Sequence, residues 1–129
     1  MTELEIYGIG VDLVEVKRIT AAIEKNPGFI KKVYTDSEAK YCTGKIESCF
    51  INYAEKFAAK EAVSKALKTG IGKNIHFNEI EIVNLHSGEP VVNLHGKTRV
   101  YCDKLAIKDI KITLSGTEEY ATAFAIALI

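Results

Sequence analysis

The chain reads as an α+β fold in which a mainly antiparallel sheet packs against helices. Three observations predict it. An apolar period of 3.6 residues runs through residues 57–67, placing Phe57, Ala58, Ala62, Val63, Ala66 and Leu67 on one side of a helix. Strict alternation governs the last segment, with Ala121, Ala123, Ala125 and Ala127 on one face and Tyr120, Thr122, Phe124, Ile126 and Leu128 on the other. Helical patterns precede and interrupt the strand patterns, which suits an antiparallel plan.

The elements follow in order. Residues 5–13 have strand character, and a helix follows over 15–25. Pro27 opens a short helical piece ending near residue 34. Thr35-Asp36-Ser37-Glu38 has the spacing of a capping box for a helix through residue 42. The long helix is expected over 51–68, stopped by Gly70 and Gly72. Strands at 77–84 and 90–94 are joined through Ser87-Gly88, and a helix spans 96–106. Strands at 108–114 and 119–128, joined near Gly116, close the chain. Both faces of the last strand are apolar, so both are expected to be covered. Its alanine face suits the close approach of a helix or a second subunit, and the helix is the simpler expectation.

At 129 residues, 1–129 reads as a single domain with enough chain for a core, and a 47% hydrophobic fraction suits a folded globule. No apolar run reaches membrane-spanning length, and the acidic first residues lack a signal-peptide pattern, so a cytoplasmic protein without a membrane partner is expected. Cys42, Cys49 and Cys102 are odd in number and lack zinc-ligand spacing, which reads as reduced packing or surface thiols. The balance of 17 basic and 17 acidic residues argues against nucleic acid as a partner. Lys17, Arg18, Lys25, Lys31 and Lys32 form a local basic cluster, a pattern that ordinarily marks a solvated helix face.

Two short segments carry candidate chemistry, each with two readings. In Gly8-Ile9-Gly10-Val11-Asp12 the glycines lie on the Asp12 side of a strand and leave room for a ligand to approach. The same Asp12, three residues before Glu15, has the spacing of a helix N-cap. The run is not a dinucleotide fingerprint, because position 13 is Leu. Glu61 and Lys65, four apart, share a helix face. They suit a metal ion and a phosphate held side by side, or an exposed ion pair worth only ~0.2–0.5 kcal/mol.

Taken together, these segments resemble the phosphopantetheinyl transferases of the short, stand-alone type. The match comprises Gly8-Ile9-Gly10-Val11-Asp12 with Arg18, then Phe57-Ala58-Ala59-Lys60-Glu61-Ala62 with Ser64-Lys65-Ala66. Thr69-Gly70-Ile71-Gly72, Phe77, Glu79-Ile80-Glu81-Ile82, Gly88, Pro90, Leu114 and Glu119-Tyr120-Ala121 continue it in order. The resemblance runs from about residue 6 to about residue 126.

It implies transfer of the 4′-phosphopantetheine arm of coenzyme A to a serine of an acyl carrier protein, in fatty acid biosynthesis, with release of adenosine 3′,5′-bisphosphate. It implies Mg²⁺ on Asp12 and Glu61, with Lys65 neutralising phosphate charge, Lys60 supporting charge at the site, and an oriented water as base. Ser64, Gly70, Gly72, Lys73 and Lys111 are implied at the coenzyme, with Ser115 and Thr117 reaching it from a neighbouring subunit of a homotrimer. Arg18, helped by Lys17 and Lys25, is implied at the carrier-protein surface. The glycines also read as helix termination, and Thr117 as a hairpin residue. One departure stands out: the family's His-x-Ser/Thr-Leu pattern is Lys111-Ile112-Thr113-Leu114 here, and Gly116 stands where a second histidine occurs. His76, His86 and His95 lie outside the motifs. A module that binds coenzyme or carrier without turnover, and a purely structural trimer, stay open as other classes.

Overall fold

The computed structural model describes Glu3 and residues 5–129. Its order is β1 (Ile6–Glu15), α1 (Val16–Lys25), α2 (Phe29–Val33), α3 (Asp36–Thr43), α4 (Cys49–Ala66), β2 (Ile80–Asn84), β3 (Pro90–Leu94), α5 (Gly96–Lys104), β4 (Asp109–Gly116) and β5 (Tyr120–Leu128). Two antiparallel sheets form, one of three strands in the order β1-β5-β4 and one of two strands, β2-β3. The α+β plan therefore holds, with the strand content divided between two sheets.

Helix α4 lies at the centre. Its buried residues include Tyr53, Ala54, Ala58, Ala59, Ala62, Val63 and Ala66, together with Lys56, Lys60 and Ser64. A helix with one apolar side was expected; this one is enclosed around most of its circumference. The alanine face of β5 explains how the large sheet comes so close. Ala121, Ala123, Ala125 and Ala127 are buried, and both β1 and β5 pack against α4. Covering by a helix is thus the outcome for that face. The other face of the sheet lies open in the protomer, with Ile9, Val11 and Leu13 of β1 each more than half exposed, beside Phe124.

Gly8 and Gly10 serve this packing rather than a ligand. A side chain at Gly10 would overlap the Ala62 carbonyl and lie 2.8 Å from the Ala66 nitrogen and 2.9 Å from Lys65 Cβ. The backbone of α4 fills the space that the sequence suggested for a ligand. Asp12 is a strand residue paired with Ala123, so its reading as a cap fails. Glu15 holds the N-cap position of α1 and makes no side-chain cap bond. The capping box at Thr35 does form: its hydroxyl accepts from the Glu38 amide, and Glu38 accepts from the Thr35 amide.

Glu38 does more than cap. Its carboxylate is fully buried and pairs with Lys60 at 2.8 Å. The Ile82 amide donates to its second oxygen at 2.7 Å. Lys60 also donates to the carbonyls of Phe77 and Ile80. Burial pushes the Lys60 ammonium below its ordinary pKa, and Glu38 opposes that. A role for Lys60 in supporting charge at the site is therefore replaced by one inside the core, because its ammonium donates to three acceptors there and has no exposure. Cys42 and Cys102 are buried free thiols and Cys49 is partly buried, which agrees with the packing reading.

Candidate active site

The tight β1–α4 contact sets Asp12 against the last turns of α4. Lys65 Nζ lies 3.2 Å from Asp12 Oδ1 and donates to the Val11 carbonyl at 3.0 Å. Its side chain is half exposed, so the pair adds little stability and the ammonium is free to turn toward an anion. Glu61 stands one helical turn earlier on the same face. Burial raises the Glu61 pKa, the Asp12 charge raises it further, and Lys65 works against both. A carboxylate whose proton affinity is raised by a neighbouring carboxylate creates a demand for a cation.

These three side chains line a cleft of about 360 Å³. Arg18 stands at its rim, and Leu13, Ile19, Phe29 and Phe57 form apolar walls. Charged groups beside apolar walls suit a ligand with a charged head and a less polar body. Phe57 was legible only as a core residue, and Phe29 carried no signal at all. They reach the cleft because α2 folds back toward α4, where the Phe29 and Phe57 rings stack at 6.4 Å.

The other expected residues are distributed differently. Ser64 is fully buried, and its hydroxyl donates to the Glu61 carbonyl at 2.7 Å. Gly70 and Gly72 follow α4, but their amides already donate to the carbonyls of Ser64 and Ile75. That occupies the groups expected to approach the coenzyme. Their surface remains open, since nothing lies within 4 Å of a side chain built at either glycine. Helix termination involves Lys68 as well, which takes a left-handed φ of 70° before Gly70 does at 69°. Lys73 is exposed in the same loop.

Lys111 lies on the open face of β4, paired with Asp109 at 3.3 Å, and does not line the Asp12 cleft. Thr117 works as a hairpin residue: its hydroxyl accepts from the Glu119 and Tyr120 amides. Of the basic residues on α1, Arg18 rims the cleft, whereas Lys17 lines a separate groove with Glu24, Glu47 and Glu118. Lys25 is exposed seven residues beyond Arg18, on the same side of the helix.

The fold agrees with what the chain is similar to. Residues 8–125 match the 4′-phosphopantetheinyl transferase superfamily, and the chain belongs to it. Among curated relatives, a holo-acyl-carrier-protein synthase of Ruminiclostridium cellulolyticum is 47% identical over 120 residues, covering 92% of this chain and 89% of that one. Among solved structures, the holo-acyl-carrier-protein synthase of Neisseria meningitidis aligns with a TM-score of 0.87 at 30% identity, covering 95% of this chain and 98% of that one. The Helicobacter pylori enzyme of the same name, solved in complex with coenzyme A, aligns with a TM-score of 0.81 at 29% identity, covering 92% of this chain and 98% of the other.

Proposed function

We propose that this chain is a holo-acyl-carrier-protein synthase, moving the 4′-phosphopantetheine group of coenzyme A to a serine of an apo acyl carrier protein in fatty acid biosynthesis. The observation that carries the proposal is the convergence of Asp12, Glu61 and Lys65 on one cleft in a chain of this family. A bond forms between the serine oxygen and the β-phosphorus, and the pyrophosphate bridge breaks. Adenosine 3′,5′-bisphosphate leaves, and the serine proton passes to a water oriented by Glu61.

The donor set fits Mg²⁺. Among the described residues no group of three potential metal ligands occurs. That matches an ion commonly held by one or two carboxylates, completing its shell with water and substrate phosphates. Asp12 and Glu61 would hold it, and it would supply charge neutralisation for the pyrophosphate. Lys65, released from Asp12, places a positive charge beside the leaving bisphosphate. Arg18 and Lys25 offer an acidic carrier a basic edge next to the cleft, and Lys17 contributes only field from the neighbouring groove.

A homotrimer is part of the proposal. The open apolar face formed by Ile9, Val11, Leu13 and Phe124 supports burial against further copies. In such an assembly a neighbouring subunit would bring Lys111, Ser115 and Thr117, which lie outside the cleft of their own protomer, toward the coenzyme. Among the described residues no helix is long and apolar enough to cross a membrane, and we assign the enzyme to the cytoplasm.

The test is the intact mass of an apo acyl carrier protein incubated with this chain, coenzyme A and Mg²⁺, beside a chelator control. A metal-dependent gain of one phosphopantetheine is expected. No gain, with a carrier competent toward another transferase, would refute the activity. Size-exclusion chromatography with light scattering reads the assembly, and a monomeric parent would refute the trimer.

A further inference from the structure

We infer that the buried Glu38–Lys60 pair, with Lys56, is a positioning device that sets the rotation of α4 and thereby the placement of Glu61 and Lys65. The inference rests on the reading of the Asp12 cleft as a metal-dependent site. It concerns groups that touch neither substrate nor metal.

The geometry is that of a clamp between a helix and the free edge of a strand. β2 pairs only with β3, so its other edge presents unpaired backbone groups. Side chains satisfy that edge. Lys60 donates to the Ile80 carbonyl at 2.6 Å, and Lys56 donates to the Ile82 carbonyl at 3.1 Å and to Asn84 Oδ1 at 2.7 Å. Glu38 accepts from the Ile82 amide at 2.7 Å and from Lys60 at 2.8 Å. Three ionisable side chains, each at most 2% exposed, thus lock α3, α4 and β2 together. Apolar contacts alone would leave a helix free to roll slightly, since they lack direction. Hydrogen bonds to fixed carbonyls do not allow it.

The clamp sits where rolling would matter. Lys56 and Lys60 are four apart and share one side of α4. Glu61 follows Lys60 by about 100° around the helix, and Lys65 by about 140°. Side-chain heads lie about 6 Å from the helix axis, so a roll of about 20° would displace them by about 2 Å. Misplacement by about 1 Å already costs on the order of 100-fold in rate. On the opposite side β1 presses against α4 through Gly8 and Gly10, which fixes the distance between the two elements. The clamp supplies the angle.

The test uses Lys60→Met, with Lys56→Met as a second variant in case the first does not fold. Four quantities are measured: kcat, KM for coenzyme A, Mn²⁺ affinity by calorimetry without substrate, and Tm. Thr98→Val serves as control, because it removes a buried hydroxyl on α5 that bonds Glu79. A folded Lys60→Met is expected to lose about 10–100-fold in kcat and about tenfold in Mn²⁺ affinity, with KM for coenzyme A little changed. Lys56→Met is expected to move the same quantities less. Thr98→Val should lower Tm alone. The inference is overturned if a folded clamp variant keeps the parent's kcat and Mn²⁺ affinity, or if Thr98→Val reduces both equally. A parent that binds no Mn²⁺ and transfers nothing would instead overturn the reading of the cleft.

Discussion

Replacing Gly10 by alanine puts one methyl group into the closest backbone contact of the site. The added carbon would overlap the Ala62 carbonyl oxygen and stand 2.8 Å from the Ala66 nitrogen and 2.9 Å from Lys65 Cβ. Two of those three atoms are backbone of a helix enclosed by other elements, so no flexible side chain can yield. Relief requires α4 to move off β1 by about 1 Å, and overpacking of this kind costs about 1–3 kcal/mol. For a chain of this length that is a fall in Tm on the order of 5–10 °C. The same movement separates Asp12 from Glu61 and Lys65, so phosphopantetheine transfer should fall by about 100-fold or more. Thermal unfolding followed by circular dichroism gives the first number, and the rate of carrier mass gain gives the second. Gly28→Ala is the control. Nothing lies within 4 Å of that position and its backbone is right-handed, so a change under about 1 kcal/mol is expected. If Gly10→Ala keeps the parent's Tm and rate, the close approach of β1 and α4 does not assemble the site, and the argument fails.

Other outcomes follow from the same geometry. Glu61→Gln should reduce turnover by more than about 100-fold, because a metal-binding carboxylate is lost. Its Tm at neutral pH without metal should be no lower than the parent's, since the folded state already holds that carboxyl above its ordinary value. A raised folded pKa contributes stability that is present in acid and lost as pH rises through it, and the amide removes that loss. The pH dependence of Mg²⁺ activation has the matching sign. Glu61 takes up its proton at a higher pH than an ordinary carboxylate, so the half-activating Mg²⁺ concentration should begin to rise above the usual carboxylate range as pH falls. A half-activating concentration constant from pH 8 to about pH 5 would contradict that. Finally, burial pushes the Cys42 thiol up to about 12 and the Cys102 thiol up to about 11. A native-state iodoacetamide reaction followed by peptide mapping should leave both unmodified, whereas denatured protein should label at all three cysteines.

Local pattern was enough for most elements. The strand ending near Asp12, the capped helix after Thr35, the hairpin through Gly88 and the alternating final strand all rest on contacts within a few residues, which spacing reports directly. That Glu61 and Lys65 share one face of α4 was legible for the same reason. So was the alanine face of β5, whose small side chains foretold a close helix. Two expectations fail for one reason. Gly8 and Gly10 suggest space for a ligand when judged from their own segment, and the resemblance places Lys60 at the site without showing what surrounds it here. What occupies the space beside a residue depends on segments distant in sequence: Ala62 and Ala66 lie more than fifty residues from Gly10, and Lys60 lies 22 from Glu38.

The sequence by itself determined the element order, the α+β class and the presence of two carboxylates and an ammonium suited to a metal ion and a phosphate. Side-chain periodicity and ionisable groups are local properties, carried by the chain before it folds. Only the tertiary structure decided which of those groups meet. It brought Asp12 to Lys65 across 53 positions, enclosed Lys60 with Glu38, and left Lys111 and Thr117 outside the cleft. Burial and convergence come from packing α4 between two sheets, and packing is a property of the whole chain that no single segment records.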